Sequence, residues 1–187
     1  AKIFEPIQAL QLANALAPYD PYFYEEPLRP EHIPAWARLR QQMQVPLATG
    51  ESLYTRFEFL DLITAQGADI IQPDVCVCGG LLEMRKIAAI AESYHCAVVT
   101  HNFLSPLITA ASLHLDTSIP NFITQEYSKG DESEKNAVFK TDHRRERGYI
   151  PISNAPGLGV ELDETLLAEA TFTPMNQAST LLREDGS

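Results

Sequence analysis

The sequence predicts an α/β fold, namely part of a parallel β/α barrel followed by a C-terminal extension. Short apolar or β-rich runs alternate with stretches of helical hydrophobic spacing, which is typical of a parallel sheet built from β-α-β units. An acidic or imidazole residue follows each of five such runs, at separations of 26, 23, 27 and 25 residues. These residues are Glu25, Glu51, Asp74, His101 and Glu126. A period of about 25 residues is close to one strand plus one helix.

Five helices are predicted where apolar residues recur at helical spacing. They cover residues 6–17, 31–43, 55–66, 80–94 and 106–115. Pro6 suits the first turn of the first helix, and Gly79-Gly80 breaks the chain before the fourth. The predicted strands are the apolar runs at 22–24, 45–48, 70–71, 97–100 and 122–124. Because the carboxyl ends of parallel barrel strands share one face, the five periodic residues form one candidate site.

After Glu126 the chain changes character, since residues 128–148 are polar and charged. The elements predicted beyond them are two short strands, one helix and a loose tail, at 149–152, 159–162, 163–170 and 175–187. We therefore expect a partial barrel over 1–130, which carries the active-site strand ends, and a C-terminal extension over 131–187.

The length of the chain bears on barrel closure. Five strands do not close an eight-stranded barrel, which usually takes about 250 residues. The chain has 187 residues and starts with a predicted helix. We expect the C-terminal half of a barrel from a longer chain, with an open sheet as the alternative.

Composition narrows the class of protein. Apolar residues make up 45% and charged residues 21%, as in an ordinary globular domain. The net charge of −11 disfavours nucleic acid and anionic membranes as partners, because both bind cationic surfaces. Three cysteines, no signal-peptide pattern and no long apolar run favour a cytoplasmic enzyme or binding protein.

The periodic residues suit acid–base chemistry at a metal centre. Glu25 and Glu51, at adjacent strand ends, offer the oxygen ligands that Mg²⁺ prefers. Asp74 and His101 suit a dyad, in which the carboxylate fixes the tautomer of the imidazole. Glu126, if protonated, suits hydrogen bonding to a developing oxyanion. Each residue also has a purely structural interpretation. These are a salt bridge for Glu25, a position beside a helix N-cap for Glu51, a hydrogen-bonded histidine at a strand end for His101, and an ordinary ion pair for Glu126.

The motifs around these residues resemble the enolase superfamily. The runs are Tyr24-Glu25-Glu26-Pro27, Ala48-Thr49-Gly50-Glu51, Gln72-Pro73-Asp74 with Gly79-Gly80, Thr100-His101-Asn102, Gln125-Glu126 and Ala155-Pro156-Gly157-Leu158-Gly159-Val160-Glu161. Within the superfamily they are similar to the mandelate racemase/muconate lactonizing enzyme group, especially its sugar-acid dehydratases of the galactonate dehydratase kind. The interval from His101 to Glu126 is similar to that of the dehydratases.

The resemblance implies a role for each position. Glu25 and Glu51 would be two of three Mg²⁺ ligands, Asp74 and His101 the dyad, and Glu126 the residue that stabilises an enediolate. The implied reaction removes the proton α to a carboxylate and then expels the β-hydroxyl of an acid sugar, with His101 as general acid. Thr100 stands where the family often has proline.

The resemblance also implies parts that lie upstream. The third ligand, an aspartate, and the base, a histidine two residues later, would precede Ala1, as would the capping domain toward which the C-terminal extension returns. We therefore expect the 187-residue polypeptide alone to bind Mg²⁺ poorly and to be inactive. Enzymes of this kind commonly assemble, so a homo-oligomer is expected.

Three alternatives stay open. A racemase or epimerase would use the same enediolate chemistry. A non-catalytic fragment or pseudoenzyme would keep the barrel without turnover. An open-sheet binding protein would explain the period but not the residue types at the strand ends.

Overall fold

A computed structural model describes residues 4–133 and 136–171 of the chain. Its main sheet has five parallel strands in the order β1-β2-β3-β4-β5: Tyr24–Glu25, Leu47–Thr49, Ile70–Ile71, Ala97–Thr100 and Phe122–Gln125. Five helices, α1 to α5, precede or connect them: Pro6–Leu16, Ile33–Gln42, Arg56–Thr64, Leu81–Ser93 and Pro106–Asp116. The predicted α/β class is confirmed, and each helix begins and ends within two residues of its predicted limits.

Local sequence signals start the helices. Pro6 occupies the first turn of α1, where its missing N–H has no helical partner, and Glu5 and Gln8 form a reciprocal capping box. Thr55 and Glu58 form the same arrangement at the start of α3. These caps fix where α1 and α3 begin.

The core lies on both faces of the sheet. On the helix side, Trp36, Phe59 and Met84 are fully buried against β-strand residues such as Leu47 and Ile71. On the opposite face, Ala48, Ile70 and Val99 form a second, smaller cluster. Alternate residues of a strand point to opposite faces, so a strand buried on both faces is apolar throughout. This burial holds the strand ends, and the polar residues that follow them, in fixed positions.

The C-terminal extension contains the strand predicted at 159–162 and the helix predicted at 163–170, together with one strand that was not predicted. Phe139–Thr141 (β6) pairs antiparallel with Val160–Leu162 (β7), and Glu164–Glu169 forms α6 with Asp163 as its N-cap. The strand predicted at 149–152 is wrong, because that segment makes one isolated bridge, between Glu146 and Tyr149. Pro151 lacks the N–H that a ladder needs.

The division of the chain at residue 130 stays a prediction, as does the return of the extension toward a capping domain. The loose tail predicted over 175–187 lies outside the described residues. Among the described helices, none combines the length and apolar character needed to cross a membrane.

Candidate active site

The five periodic residues lie on the carboxyl side of the five parallel strands. Glu25 is the last residue of β1, and His101 and Glu126 directly follow β4 and β5. Glu51 comes two residues after the end of β2, and Asp74 three residues after the end of β3. The strands are parallel and adjacent in chain order, so these residues occupy one edge of the sheet.

His101 and Asp74 are in direct contact. Nδ1 of the ring lies 2.7 Å from Asp74 Oδ2, a distance at which the ring N–H donates to the carboxylate. Asp74 is buried, and its Oδ1 accepts a hydrogen bond of 2.7 Å from the backbone N–H of Cys76. Two donors therefore hold this carboxylate in place, and the carboxylate orients the imidazole.

The second ring nitrogen of His101 faces the carboxylates. Nε2 lies 3.4 Å from Glu51 Oε2. Burial of the ring opposes its protonation, but the hydrogen bond to Asp74 and the charges of Glu51 and Glu126 outweigh burial and raise the pKa of His101. The imidazole is thus prepared to carry a proton on Nε2.

Glu126 lies in a half-buried position beside the same histidine. Its Oε2 accepts a hydrogen bond of 2.7 Å from the backbone N–H of Asn102. Burial raises the pKa of Glu126, and the charges of Glu25 and Glu51 add to the rise, against the opposing effects of the Asn102 N–H and His101. Glu126 therefore favours its neutral, protonated form more strongly than an exposed glutamate does.

The two adjacent glutamates after β1 have different surroundings. Glu25 is exposed, and its Oε1 accepts a hydrogen bond of 2.5 Å from Gln72 Nε2. Glu26 is buried, and its Oε1 accepts from the Thr49 hydroxyl at 2.5 Å and from the Gly50 N–H at 2.8 Å. Glu25 therefore remains the candidate ligand, while Glu26 anchors the turn that leads to Glu51.

The close packing of that turn explains why glycine occupies position 50. Gly50 has φ +139°, and a Cβ there would lie 2.8 Å from Phe59 Cε1 and 2.9 Å from the backbone N of Gln72. Only glycine fits this conformation and this approach without strain. Gly50 thus sets the position from which Glu51 projects.

The donor set suits a hard cation in part. Glu25 and Glu51 supply carboxylate oxygens from adjacent strands, and Mg²⁺ takes such ligands while keeping several waters. Within residues 4–133 and 136–171, no group of three His, Cys, Asp or Glu side chains is placed to hold a metal ion. These residues fit as two ligands of such a site and do not by themselves form a complete one.

Motif residues without a predicted role also support the site. Gln72 contacts Glu25, Asn102 contacts Glu126, and Glu26 holds the Gly50 turn. Each lies next to, or two residues from, a predicted site residue, and this adjacency was the available signal. The two cysteines before the Gly79-Gly80 turn differ from each other, since Cys78 is buried and Cys76 is exposed.

A sequence model of the family described as enolase C-terminal domain-like matches residues 2–166 of the chain. The chain belongs to this family. The match covers the five-stranded sheet, the strand-end residues and the extension as far as α6. The enolase-type sheet confirms the barrel origin predicted from the period.

Curated relatives of this family member include dehydratases. The chain is 39% identical over 183 residues to a D-galactonate dehydratase of Ralstonia nicotianae, covering 94% of this chain and 48% of that protein. It is 38% identical over 186 residues to a D-galactonate dehydratase of Variovorax paradoxus, covering 96% and 49%. The chain thus spans about half the length of the curated relatives it matches.

Solved structures share the fold closely. An enolase from Agrobacterium radiobacter, a candidate galactarate dehydratase with sodium and L-malate bound, is 44% identical with a TM-score of 0.91 and covers 100% of this chain and 51% of that one. A mandelate racemase/muconate lactonizing enzyme from Jannaschia sp. is 33% identical with a TM-score of 0.87, covering 93% and 44%. This enolase-family chain therefore has relatives named for dehydration and for racemisation.

Proposed function

We propose that the full protein catalyses Mg²⁺-dependent dehydration of an acid sugar, an aldonate or aldarate, to a 2-keto-3-deoxy acid. The observation that carries the proposal is the contact of 2.7 Å between His101 and Asp74 at a sheet edge that also holds Glu25, Glu51 and Glu126. The 39% sequence identity of the chain to a D-galactonate dehydratase supports the choice of acid-sugar substrates.

The proposed reaction breaks two bonds of the substrate. A base takes the proton from the carbon α to the carboxylate, and the electron pair forms an enediolate. The enediolate then expels the β-hydroxyl, which leaves as water after receiving a proton, and the enol product becomes the 2-keto-3-deoxy acid. We assign no residue of this chain to the first proton transfer.

His101 is the proposed proton donor to the leaving hydroxyl. Its Nδ1 is engaged by Asp74, so Nε2 is the atom that can hold and deliver the proton. The Asp74 hydrogen bond and the acidic neighbours raise the pKa of His101 despite burial, and this favours the protonated imidazole.

Glu126 is the proposed stabiliser of the enediolate. Burial, with the charges of Glu25 and Glu51, raises the pKa of Glu126, so the neutral acid can donate a hydrogen bond to an oxygen that becomes negative. The Asn102 N–H holds Oε2 of the carboxyl and leaves Oε1 for the substrate.

Glu25 and Glu51 are the proposed ligands of Mg²⁺ from this chain. When bound, the cation would polarise the substrate carboxylate and favour loss of the α-proton. Gln72 orients Glu25 through its Nε2 donor, and Gly50 sets the turn that presents Glu51. Both carboxylates are thus held by neighbouring groups of this chain.

A racemase or epimerase is the second candidate. The structural neighbour named for mandelate racemase and muconate lactonizing enzyme favours it, because racemisation also proceeds through an enediolate. The two functions differ in the fate of the intermediate, since a dehydratase loses water and a racemase returns the proton.

A substrate screen tests the proposal. The full-length protein with Mg²⁺ is incubated with D-galactonate, galactarate and a panel of other aldonates and aldarates, and 2-keto-3-deoxy products are measured. We expect product from at least one acid sugar and its loss after chelation with EDTA. Inversion of a carbon centre without loss of water would assign the protein to the racemases instead, and no conversion of any kind would refute both.

A further inference from the structure

Thr100 and Gln125 link the two strand ends that carry His101 and Glu126. They are the last residues of β4 and β5, and their Cα atoms are partners in the parallel ladder. Each directly precedes a proposed catalytic residue. Any shift between these two positions would therefore move His101 relative to Glu126.

The register between the two strands is interrupted just before these positions. Val98 pairs with Phe122, but Val99 pairs with Thr124, so Ile123 is an extra residue on β5. Bulges of this kind re-aim the side chains that follow them. Above the bulge, the Thr100 hydroxyl and Gln125 Oε1 lie 2.8 Å apart and fix the new register.

The hydroxyl of Thr100 has one proton and two acceptor oxygens beside it. Gln125 Oε1 is 2.8 Å away, and Asp116 Oδ2 is 3.2 Å away. The amide of Gln125 has only one workable orientation, because its Nε2 donates to the backbone oxygen of Glu126 at 2.7 Å and a flipped amide would place two oxygens there. The Thr100 proton is thus required by Gln125, and the contact with Asp116 needs a proton from Asp116 itself.

The surroundings of Asp116 favour that proton. Asp116 ends α5, is 4% exposed, and its Oδ1 has no hydrogen-bond partner among the described residues. Burial raises the pKa of Asp116 to about 8, even against the lowering effect of a hydrogen bond donated by the Thr100 hydroxyl. The titratable or charged side chains that line the 270 Å³ cavity beside it are Tyr127, Arg145 and Tyr149. None of them forms an ion pair or hydrogen bond with Asp116 within the described part of the chain.

We propose that Asp116 is a positioning residue that keeps its proton in the folded protein, donates it to Thr100, and through Thr100 and Gln125 fixes Glu126 relative to His101. The chain of donors continues past Gln125. Its amide holds the backbone oxygen of Glu126, and Asn102 Nδ2 donates to the same oxygen at 2.9 Å. Asn102 N–H then holds the Glu126 carboxyl at 2.7 Å.

The protonation of Asp116 is tested without any activity. Difference infrared spectra of the full-length protein and its Asp116→Asn variant at pH 7 should contain the C=O stretch of one protonated carboxylic acid, present only in the wild type. The amide introduced by this substitution can still donate to Thr100, so the variant is expected to fold normally. Absence of that band, with a carboxylate band in its place, would overturn the proposal.

The positioning role rests on the proposed function and is tested by a matched series. Thr100→Val removes the hydroxyl at constant shape and should lower kcat about tenfold, with KM within about twofold, because the loss of one buried hydrogen bond misplaces Glu126. Thr100→Ser keeps the hydroxyl and should restore kcat to within about twofold. The control is Thr117→Val, the same substitution one residue beyond Asp116. The Thr117 hydroxyl donates to the backbone oxygen of Leu113 at 3.0 Å.

The outcomes separate the two proposals. Wild-type kcat in Thr100→Val would overturn the positioning role, as would an equal loss in Thr100→Ser. If the wild type dehydrates no acid sugar, the proposed function fails, and a crystal structure of Thr100→Val then decides the positioning role. An unmoved Glu126 carboxyl in that structure contradicts it, and a displaced one supports it.

Discussion

Acidic side chains have different neighbours at the two ends of the parallel sheet. At the amino end, Asp69 pairs with Arg40 and accepts a hydrogen bond of 2.8 Å from the N–H of Leu47. At the carboxyl end, the charges of Glu25 and Glu51 raise the pKa of Glu126, after burial itself. At the amino end the carboxylate is paired with a cation. At the carboxyl end several carboxylates lie close enough to repel one another.

That difference separates stability from function. A carboxylate paired with a guanidinium and a backbone donor contributes to holding α2, β2 and β3 together. A group of like charges costs stability, and such groups concentrate where a cation or a reacting substrate is bound. Substitutions at the carboxyl end should therefore affect activity most, and those at the amino end should affect unfolding.

The largest expected effect comes from a proposed metal ligand. Glu51→Gln should lower kcat/KM of the full-length protein about a thousandfold and weaken Mg²⁺ binding, because an amide lacks the charge of a carboxylate. Steady-state kinetics and a calorimetric Mg²⁺ titration measure both effects. Glu92→Gln, at an exposed position on α4, is the control. An unchanged Mg²⁺ titration in Glu51→Gln would remove Glu51 from the metal site.

The dyad should give the next largest effect. Asp74→Asn should lower kcat about a hundredfold, since the histidine loses the carboxylate that orients it. Burial opposes protonation of His101 and the Asp74 hydrogen bond favours it, so this substitution lowers the pKa of His101. Activity that needs the protonated imidazole should then disappear at lower pH than in the wild type. A pH–rate profile whose alkaline limb stays in place would contradict the assignment.

A pair of glycines compares the two ends directly. Gly50→Ala should lower the free energy of unfolding by about 3 kcal/mol and kcat at least tenfold, because its Cβ meets the backbone N of Gln72 and φ is positive. A Cβ at Gly67, near the amino end, would lie 2.7 Å from the end of the Leu62 side chain, so Gly67→Ala should cost about 1 kcal/mol with kcat unchanged. Denaturant titrations and kinetics on both variants check this. Equal kcat in the two variants would erase the distinction.

The smallest effect is expected at the amino end itself. Asp69→Asn keeps an acceptor for the Leu47 N–H but loses the charge that pairs with Arg40. The pair is about one-third exposed, so its loss should lower the free energy of unfolding by only about 1 kcal/mol. The kcat should stay within twofold of wild type. A large loss of kcat here would show that both ends contribute to activity.

Periodicity explains how much of this arrangement the sequence predicts. Parallel strands separated by one helix place their carboxyl ends together, so the spacing from Glu25 to Glu126 was enough to define one edge. The contact between Asp74 and His101 follows, because β3 and β4 are neighbours.

Features that depend on contacts across the chain were not predictable in the same way. The strand at 159–162 was predicted, but its partner β6, which pairs Phe139 with Leu162, lies inside a charged segment with no local strand pattern. Glu25 and Glu26 look alike in the sequence, but Glu26 is buried against Thr49 and Gly50 while Glu25 is exposed. The proposed protonation of Asp116 follows from its burial and from the two acceptor oxygens beside the Thr100 hydroxyl, which only the folded structure brings together.

The most direct test of the central claim separates the two proton transfers. In D₂O with Mg²⁺, the full-length His101→Asn variant is incubated with the substrate that the screen identifies, and deuterium incorporation at the α-carbon and formation of 2-keto-3-deoxy product are measured together. We predict that water loss falls about a thousandfold while α-proton exchange continues, because His101 is the acid for the leaving hydroxyl and not the base. Dehydration at the wild-type rate in this variant would contradict that role.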